Sequence, residues 1–295
     1  ASNFDESTDR LALTKYSVGA EVPVPMEGDR GFSMADVRDG INGFNFRGRT
    51  NTPEGFYRGL NEIRSVSDPN DLRAVVLFTD GAPNAFAARF NLRSYPDTVG
   101  VIQAPMKDWD HCDRPPQGLW RADRLNTPGR RLDAKLCGDR QEGAGIIFQL
   151  DGLPEYYNAD DALATEFPIL NPTHPRRPVD DYNYRNANRD RLLIATHRIA
   201  RNLPEDMAEV ARKEGIYVFV IGLGYRLTQG NGPENEIGQD MLYRMANDPA
   251  MLDIPRLAGD FKPDQLQGIY CHAINRQVLG ACFEKITETL LRLTI

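Results

Sequence analysis

The chain has 295 residues, 41% of them hydrophobic and 26% charged, which makes a folded chain rather than disorder the default reading and suits one large domain or one and a half ordinary ones. Lys and Arg number 35 against 42 Asp and Glu, a net charge of −7 that argues against nucleic acid and anionic lipid as partners. No apolar run approaches the ~18–20 residues needed to cross a bilayer, and the polar, acidic stretch Ala1 to Arg10 reads as neither signal peptide nor anchor.

The first predicted element is a hairpin over 10–25. Leu11, Leu13, Lys15 and Ser17 alternate with Ala12, Thr14 and Tyr16, a turn falls near Gly19, and Glu21–Val22–Pro23–Val24–Pro25 returns as an edge strand. Ser33 is a candidate N-cap for a helix carrying Val37, Ile41 and Phe44. After the loop Gly48–Arg49–Thr50–Asn51–Thr52, a Thr52 cap and Pro53 in the first turn predict a helix with Phe56, Leu60 and Ile63 on one face. Ala74–Val75–Val76–Leu77–Phe78 is a continuous apolar run ending at Thr79–Asp80–Gly81, the pattern of a strand covered on both faces.

From about 82 to 188 the chain is rich in Pro, Arg, Asp and Asn and weakly periodic. It reads as an insertion of loops and short elements, with one candidate strand at Gly145–Leu150. Helical patterning resumes with Leu192, Leu193, Ala195, Ile199, Met207, Val210 and Ala211, with a break expected at Pro204 and a helix end at Gly215. Ile216–Ile221 reads as another buried strand ending in Gly222–Leu223–Gly224, read as turn glycines rather than a phosphate cradle. A helix with Ile237, Met241, Leu242 and Met245 follows, then a short strand Gly268–His272. The last helix carries Leu279, Cys282, Phe283, Ile286 and Leu290 on one stripe. Apolar strands alternating with amphipathic helices predict a Rossmann-like, doubly wound α/β fold with a mostly parallel sheet and a long irregular insertion. Ligands of such sheets sit beyond the carboxyl ends of the strands, which points at Asp80, the 222–234 loop and the loop holding Thr50.

Cys112, Cys137, Cys271 and Cys282 have no zinc-site spacing; the even count, split into two local pairs, fits either two disulfides or four buried thiols. Asp108, Asp110, His111 and Asp113 surround Cys112, a low-ranked second cation site beside the commoner reading of a solvated acidic loop. His174, His197 and His272 have no catalytic partner at useful spacing and read as structural or surface residues.

Several blocks together resemble the von Willebrand factor A (VWA) family. Arg10–Leu11–Ala12–Leu13 through Tyr16–Ser17 resembles its second strand, and Gly48–Arg49–Thr50–Asn51–Thr52–Pro53–Glu54–Gly55 its threonine loop. Val75–Val76–Leu77–Phe78–Thr79–Asp80–Gly81–Ala82–Pro83–Asn84 resembles its aspartate loop, and Val218 to Gly224 its next strand and glycine turn. Leu242–Tyr243–Arg244–Met245–Ala246–Asn247, Gly268–Ile269–Tyr270, Phe283–Glu284–Lys285–Ile286 and Leu291–Arg292–Leu293 are similar to the bacterial Tad/Flp pilus-assembly TadG-like group. The resemblance covers about 1–85 and 190–295 and divides the chain into a first VWA part (1–81), an insertion or subdomain (82–188) and a second VWA part (189–295).

The resemblance implies a divalent cation, Mg²⁺ or else Ca²⁺ or Mn²⁺, at a metal-ion-dependent adhesion site with Thr50 and Asp80 as ligands. Such hard cations take oxygen donors, and an open coordination position would accept a partner's carboxylate. The family's DxSxS motif is absent. Asp5–Glu6–Ser7–Thr8–Asp9 mimics it, but no strand precedes it and no helix separates it from Leu11, so it reads as a polar loop. The absent first strand belongs in the middle of the sheet; either the chain is incomplete at its start, the favoured reading, or another chain supplies that strand. The full-length protein would then carry an N-terminal membrane anchor. The implied envelope setting (periplasm, cell surface or secreted) favours bridges Cys112–Cys137 and Cys271–Cys282. The expected function is a metal-dependent adhesion or assembly module with a pilus or surface component as partner. The alternative is a VWA subunit of an intracellular ATPase- or chelatase-type machine. An enzyme ranks last, because no nucleophile–base pair or phosphate loop is visible.

Overall fold

The computed structural model describes residues 4–44, 50–66, 71–92, 95–103, 119–121, 152–180 and 189–293. The chain opens with an antiparallel hairpin, β1 (Leu13–Tyr16) and β2 (Ala20–Val24). In α1 (Met34–Asn42) the Ser33 hydroxyl caps the first turn by accepting from the Asp36 amide, and Phe44 lies past the helix end. The next helix, α2 (Thr52–Ser65), is capped by Asn51 rather than by Thr52, because the Asn51 side chain reaches the Glu54 amide. Pro53 sits in the first turn, where its missing N–H leaves no helical bond unmade.

After β3 (Arg73–Thr79) the supposed irregular stretch forms strands: β4 (Ala85–Leu92), β5 (Tyr95–Gln103) and β6 (Leu119–Arg121), an antiparallel sheet in the order β4–β5–β6. The weak periodicity has a physical cause. Ala85, Phe86, Ala87 and Ala88 are all fully buried, so the alternation that marks a half-buried strand is absent. The candidate strand Gly145–Leu150 lies outside the described residues.

Next, α3 (Arg189–Lys213) runs unbroken through Pro204. Leu203, Met207, Ala208 and Ala211 are fully buried on either side of the proline, and their packing outweighs the roughly 3 kcal/mol it costs inside a helix. The remaining elements are β7 (Ile216–Leu223), the two-residue strands β8 (Gly230–Asn231) and β9 (Glu236–Ile237), α4 (Gly238–Ala246), β10 (Tyr270–Ala273) and α5 (Arg276–Leu293). Ile237 thus ends a strand instead of opening a helix, and Gly268 and Ile269 precede β10. Gly268 is required there, since a Cβ would fall 1.9 Å from the Val218 carbonyl oxygen.

β3, β7 and β10 form a wholly parallel sheet in the order β10–β7–β3. This is the mixed α/β fold with a mostly parallel sheet that the sequence predicts. One face carries the main core, a cluster that includes Val218 and Val220 of β7, Phe56 and Leu60 of α2, Met207 of α3 and Met241 of α4. The same core takes in Phe86 and Phe90 of β4, Val101 of β5, and Tyr157 and Phe167 beyond β6. The other face holds Phe219 and Ile221 under α5, around Cys282 and Ile286. The Cys271–Cys282 disulfide ties α5 to β10.

Two features depart from a strand covered on both faces. Val76 and Phe78 of β3 are 38% and 37% exposed, because α5 covers β7 and β10 but only the edge of β3, where Phe283 touches Phe78. Among the described residues, β3 also has no strand on its outer edge. β1 runs alongside in the same direction. Arg10 pairs with Asp71 at one end (2.8 Å), and the Tyr16 hydroxyl donates to the Phe78 carbonyl at the other (2.7 Å). Among the described residues, β1 and β3 are thus joined by side chains and not by backbone pairing.

The segment before α3 is held by charge. Arg177, 3% exposed, donates to Glu205 (2.9 Å) and Glu236 (2.5 Å), and Glu205 also accepts from Arg176 (2.6 Å) and Arg244 (2.8 Å). Arg201 joins through Glu236 and Asn231. Burial alone would raise the Glu205 carboxyl, but Arg177, Arg244 and Arg176 hold it well below the usual carboxylate range.

Candidate functional site

The site lies at the carboxyl end of the parallel strands. Thr79 is the last residue of β3, in register with Gly222 of β7, so Asp80 enters the loop above the sheet beside the β7 turn. Asp80 is exposed, while Gly81 to Asn84 behind it are buried. The Thr79 hydroxyl accepts from the Gly81 amide (3.4 Å) and donates to the Gly81 carbonyl (2.8 Å), folding the aspartate loop on itself.

The threonine loop lies directly against it. The Thr50 amide donates to the Asn84 side-chain oxygen (3.1 Å), and the Asn84 amide donates back to the Thr50 carbonyl (3.2 Å). The Thr50 hydroxyl faces Gly81, whose missing Cβ would lie 3.1 Å from it. The structure thus brings Thr50 and the Asp80–Gly81 turn together from loops about thirty residues apart.

Neighbouring residues build the support. Asn51 is fully buried; its amide donates to Ser17 (2.9 Å) and its side chain to Val18 (2.8 Å) and Glu54 (2.8 Å). The Tyr16 ring lies on Gly55, where a Cβ would come within 2.5 Å of it. Burial pushes the Tyr16 phenol up to about 12, with the Asp80 charge adding to the shift, so it stays a neutral donor. Glu54, 3% exposed, is raised to about 7 by burial; Asp160 adds to the rise, and Arg58 and Asn51 oppose it. Arg58 bridges Glu54 (3.1 Å) and Asp160 (2.9 Å), linking α2 to the excursion.

The donor set fits a hard divalent cation: a hydroxyl and an exposed carboxylate on adjoining loops. Among the described residues no three His, Cys, Asp or Glu side chains converge. Thr50 and Asp80 would therefore hold a cation only together with oxygens from elsewhere.

Asp108, Asp110, His111, Cys112, Asp113 and Cys137 lie outside the described residues. Cys271 and Cys282 are bridged. Of the histidines among the described residues, His272 lies at the same end of the sheet, in register with Gly222, while His174 and His197 belong to the segment before α3 and to α3. His174 accepts from the Arg176 and Arg177 amides, His272 bonds the Gly224 carbonyl, and burial together with Arg201 lowers His197 to about 3. Gly222 lies within β7, where Tyr270 and Leu227 leave no room for a side chain, and Gly224 has a positive φ of 77°. Sequence reasoning missed Asn84, Asn51 and Tyr16. Each stands beside a motif residue, and an asparagine flanking a loop could have been asked which backbone groups it holds.

No protein-family model matches the sequence. No curated protein matches it either. Among solved structures, the pilus adhesin SpaC from Lactobacillus rhamnosus GG is similar at a TM-score of 0.44 and 11% identity, over 95% of this chain and 25% of that one. The vWF domain of the type V pili tip protein Mfa5 from Porphyromonas gingivalis is similar at a TM-score of 0.41 and 13% identity, over 95% of this chain and 79% of that one. This chain spans about a quarter of the length of SpaC. Scores this low do not fix a fold; the strand order and register above do.

Proposed function

We propose that this chain is the larger part of a VWA-type, cation-dependent adhesion module that binds a protein partner outside the reducing cytoplasm, in pilus assembly or surface attachment. The observation that carries the reading is the clamped pair of loops bearing Thr50 and Asp80 at the carboxyl end of a parallel sheet. Mg²⁺, or Ca²⁺ or Mn²⁺ in its place, would bind these oxygens and offer an open position to a partner's carboxylate. Thr50 and Asp80 orient the ion; Tyr16 and Asn51 keep their loops in place.

Among the described residues the outer edge of β3 is unpaired and meets β1 only through side chains, which supports the view that a further strand pairs between them in the full-length protein. A strand there would satisfy both open edges and deliver its last residues to the same rim as Asp80, which is where the remaining ligands are needed. The Cys271–Cys282 bridge favours an envelope or exported location over an intracellular machine.

The test is Mn²⁺ binding followed by electron paramagnetic resonance on the full-length protein, with Mg²⁺ as competitor. Wild type should bind, and Asp80→Ala and Thr50→Ala should each weaken binding at least tenfold. Equal binding by wild type and Asp80→Ala would sink the reading.

A further inference from the structure

Thr50 spends both of its backbone groups on one residue, Asn84, whose side-chain oxygen takes the Thr50 amide (3.1 Å) and whose own amide reaches the Thr50 carbonyl (3.2 Å). This closed pair resembles one rung of an antiparallel ladder, except that one acceptor is a side chain. Asn84 is 2% exposed, so water does not compete for its amide. It lies four residues after Asp80 and directly before Ala85, the first residue of β4. The Thr50 loop thereby rides on the segment that joins the aspartate loop to the excursion's antiparallel sheet. On its other side the loop is tied by Asn51 to Ser17 and Val18, at the end of the β1 hairpin.

We propose that Asn84 is a positioning residue for the cation site. It sets the Thr50 hydroxyl at a fixed place relative to Asp80 and makes the site sensitive to shifts of β4. The inference rests on the metal reading above. An acceptor at the Asn84 side-chain oxygen is what the role requires. Aspartate keeps that acceptor; alanine lacks it, and serine is too short to reach the Thr50 amide.

The experiment combines Mn²⁺ binding with amide exchange at Thr50, read by NMR on the full-length protein for Asn84→Ala, Asn84→Ser and Asn84→Asp. Loss of a group that orients a ligand typically weakens metal binding about 10–100-fold. Asn84→Ala should do so and leave the Thr50 amide in fast exchange. Asn84→Asp should restore both protection and affinity. If Asn84→Ala does not fold, Asn84→Ser against Asn84→Asp gives the same comparison. Wild-type affinity in Asn84→Ala or Asn84→Ser while Asp80→Ala loses binding would overturn the role of Asn84 and leave the metal site standing. Wild-type affinity in Asp80→Ala as well would overturn the metal reading itself.

Discussion

Replacing Glu205 with alanine tests the ionic clasp that holds the excursion to α3. The Glu205 carboxylate is 4% exposed and accepts from Arg176 at 2.6 Å, Arg177 at 2.9 Å and Arg244 at 2.8 Å. Among the described residues, the alanine variant leaves these guanidiniums opposed by Glu236 and Asp260 alone. Breaking a buried pair by removing one partner costs about 3–5 kcal/mol, and a carboxylate serving three partners belongs at the upper end. For a chain this large that corresponds to a melting temperature lower by roughly 5–8 °C. The assay is urea unfolding at pH 7 followed by circular dichroism, with the m-value checked for constancy. The loss is also pH-dependent. Glu205 is held well below the 4.5 of an ordinary glutamate, so its contribution is complete above that value and disappears as pH falls through the folded-state pKa. The gap between wild type and Glu205→Ala should therefore narrow in acid. A loss under about 1 kcal/mol at pH 7, the scale of an exposed salt bridge, would refute the claim that the clasp is a buried network.

Three further outcomes follow from other groups. His197 titrates near 6.5 unfolded and near 3 folded, so the unfolded state holds the extra proton between these values; stability should fall as pH drops through this window, and His197→Asn should flatten that part of the melting curve against pH. Glu54 runs the opposite way, from 4.5 unfolded to about 7 folded, so its contribution is complete below 4.5 and lost as pH rises through 7; Glu54→Gln should gain stability over wild type at pH 8 and lose that gain by pH 4.5, measured by thermal melts at both. The Cys271–Cys282 bridge closes a sequence separation of 11, and its reduction should cost about 3 kcal/mol in urea unfolding and speed hydrogen exchange across α5; unchanged exchange would show that the helix is held by packing alone.

Much of this was legible from pattern. Thr50 and Asp80 were placed by the motifs around them, and the loops do meet. The apolar runs gave β3 and β7, and the helix stripes gave α2 and α5. What stayed hidden depended on tertiary context. Pro204 reads as a breaker unless one knows that α3 is buried on both sides of it. The Ala85–Ala88 strand has no alternation because both of its faces are covered. The partial exposure of Val76 and Phe78 reflects what fails to cover β3, which no reading of β3 alone reveals. Asn84 was invisible because its task is to hold a residue 34 positions away.

β3 pairs with β7 in a register that sets Arg73 opposite Ile216, more than a hundred residues later. At about 5–20 residues per second of synthesis, β3 emerges roughly 7–29 seconds before the strand that completes its inner edge. During that interval Val75, Val76, Leu77 and Phe78 are an exposed, uncharged β-forming run with two open edges, the composition that aggregates most readily. Asp71 and Arg73 before the run and Asp80 after it stand where gatekeeper charges suppress such association. Asp80 therefore answers to two demands: in the folded protein it stands at the carboxyl rim of the parallel sheet, and in the nascent chain its charge opposes association of β3 before β7 arrives.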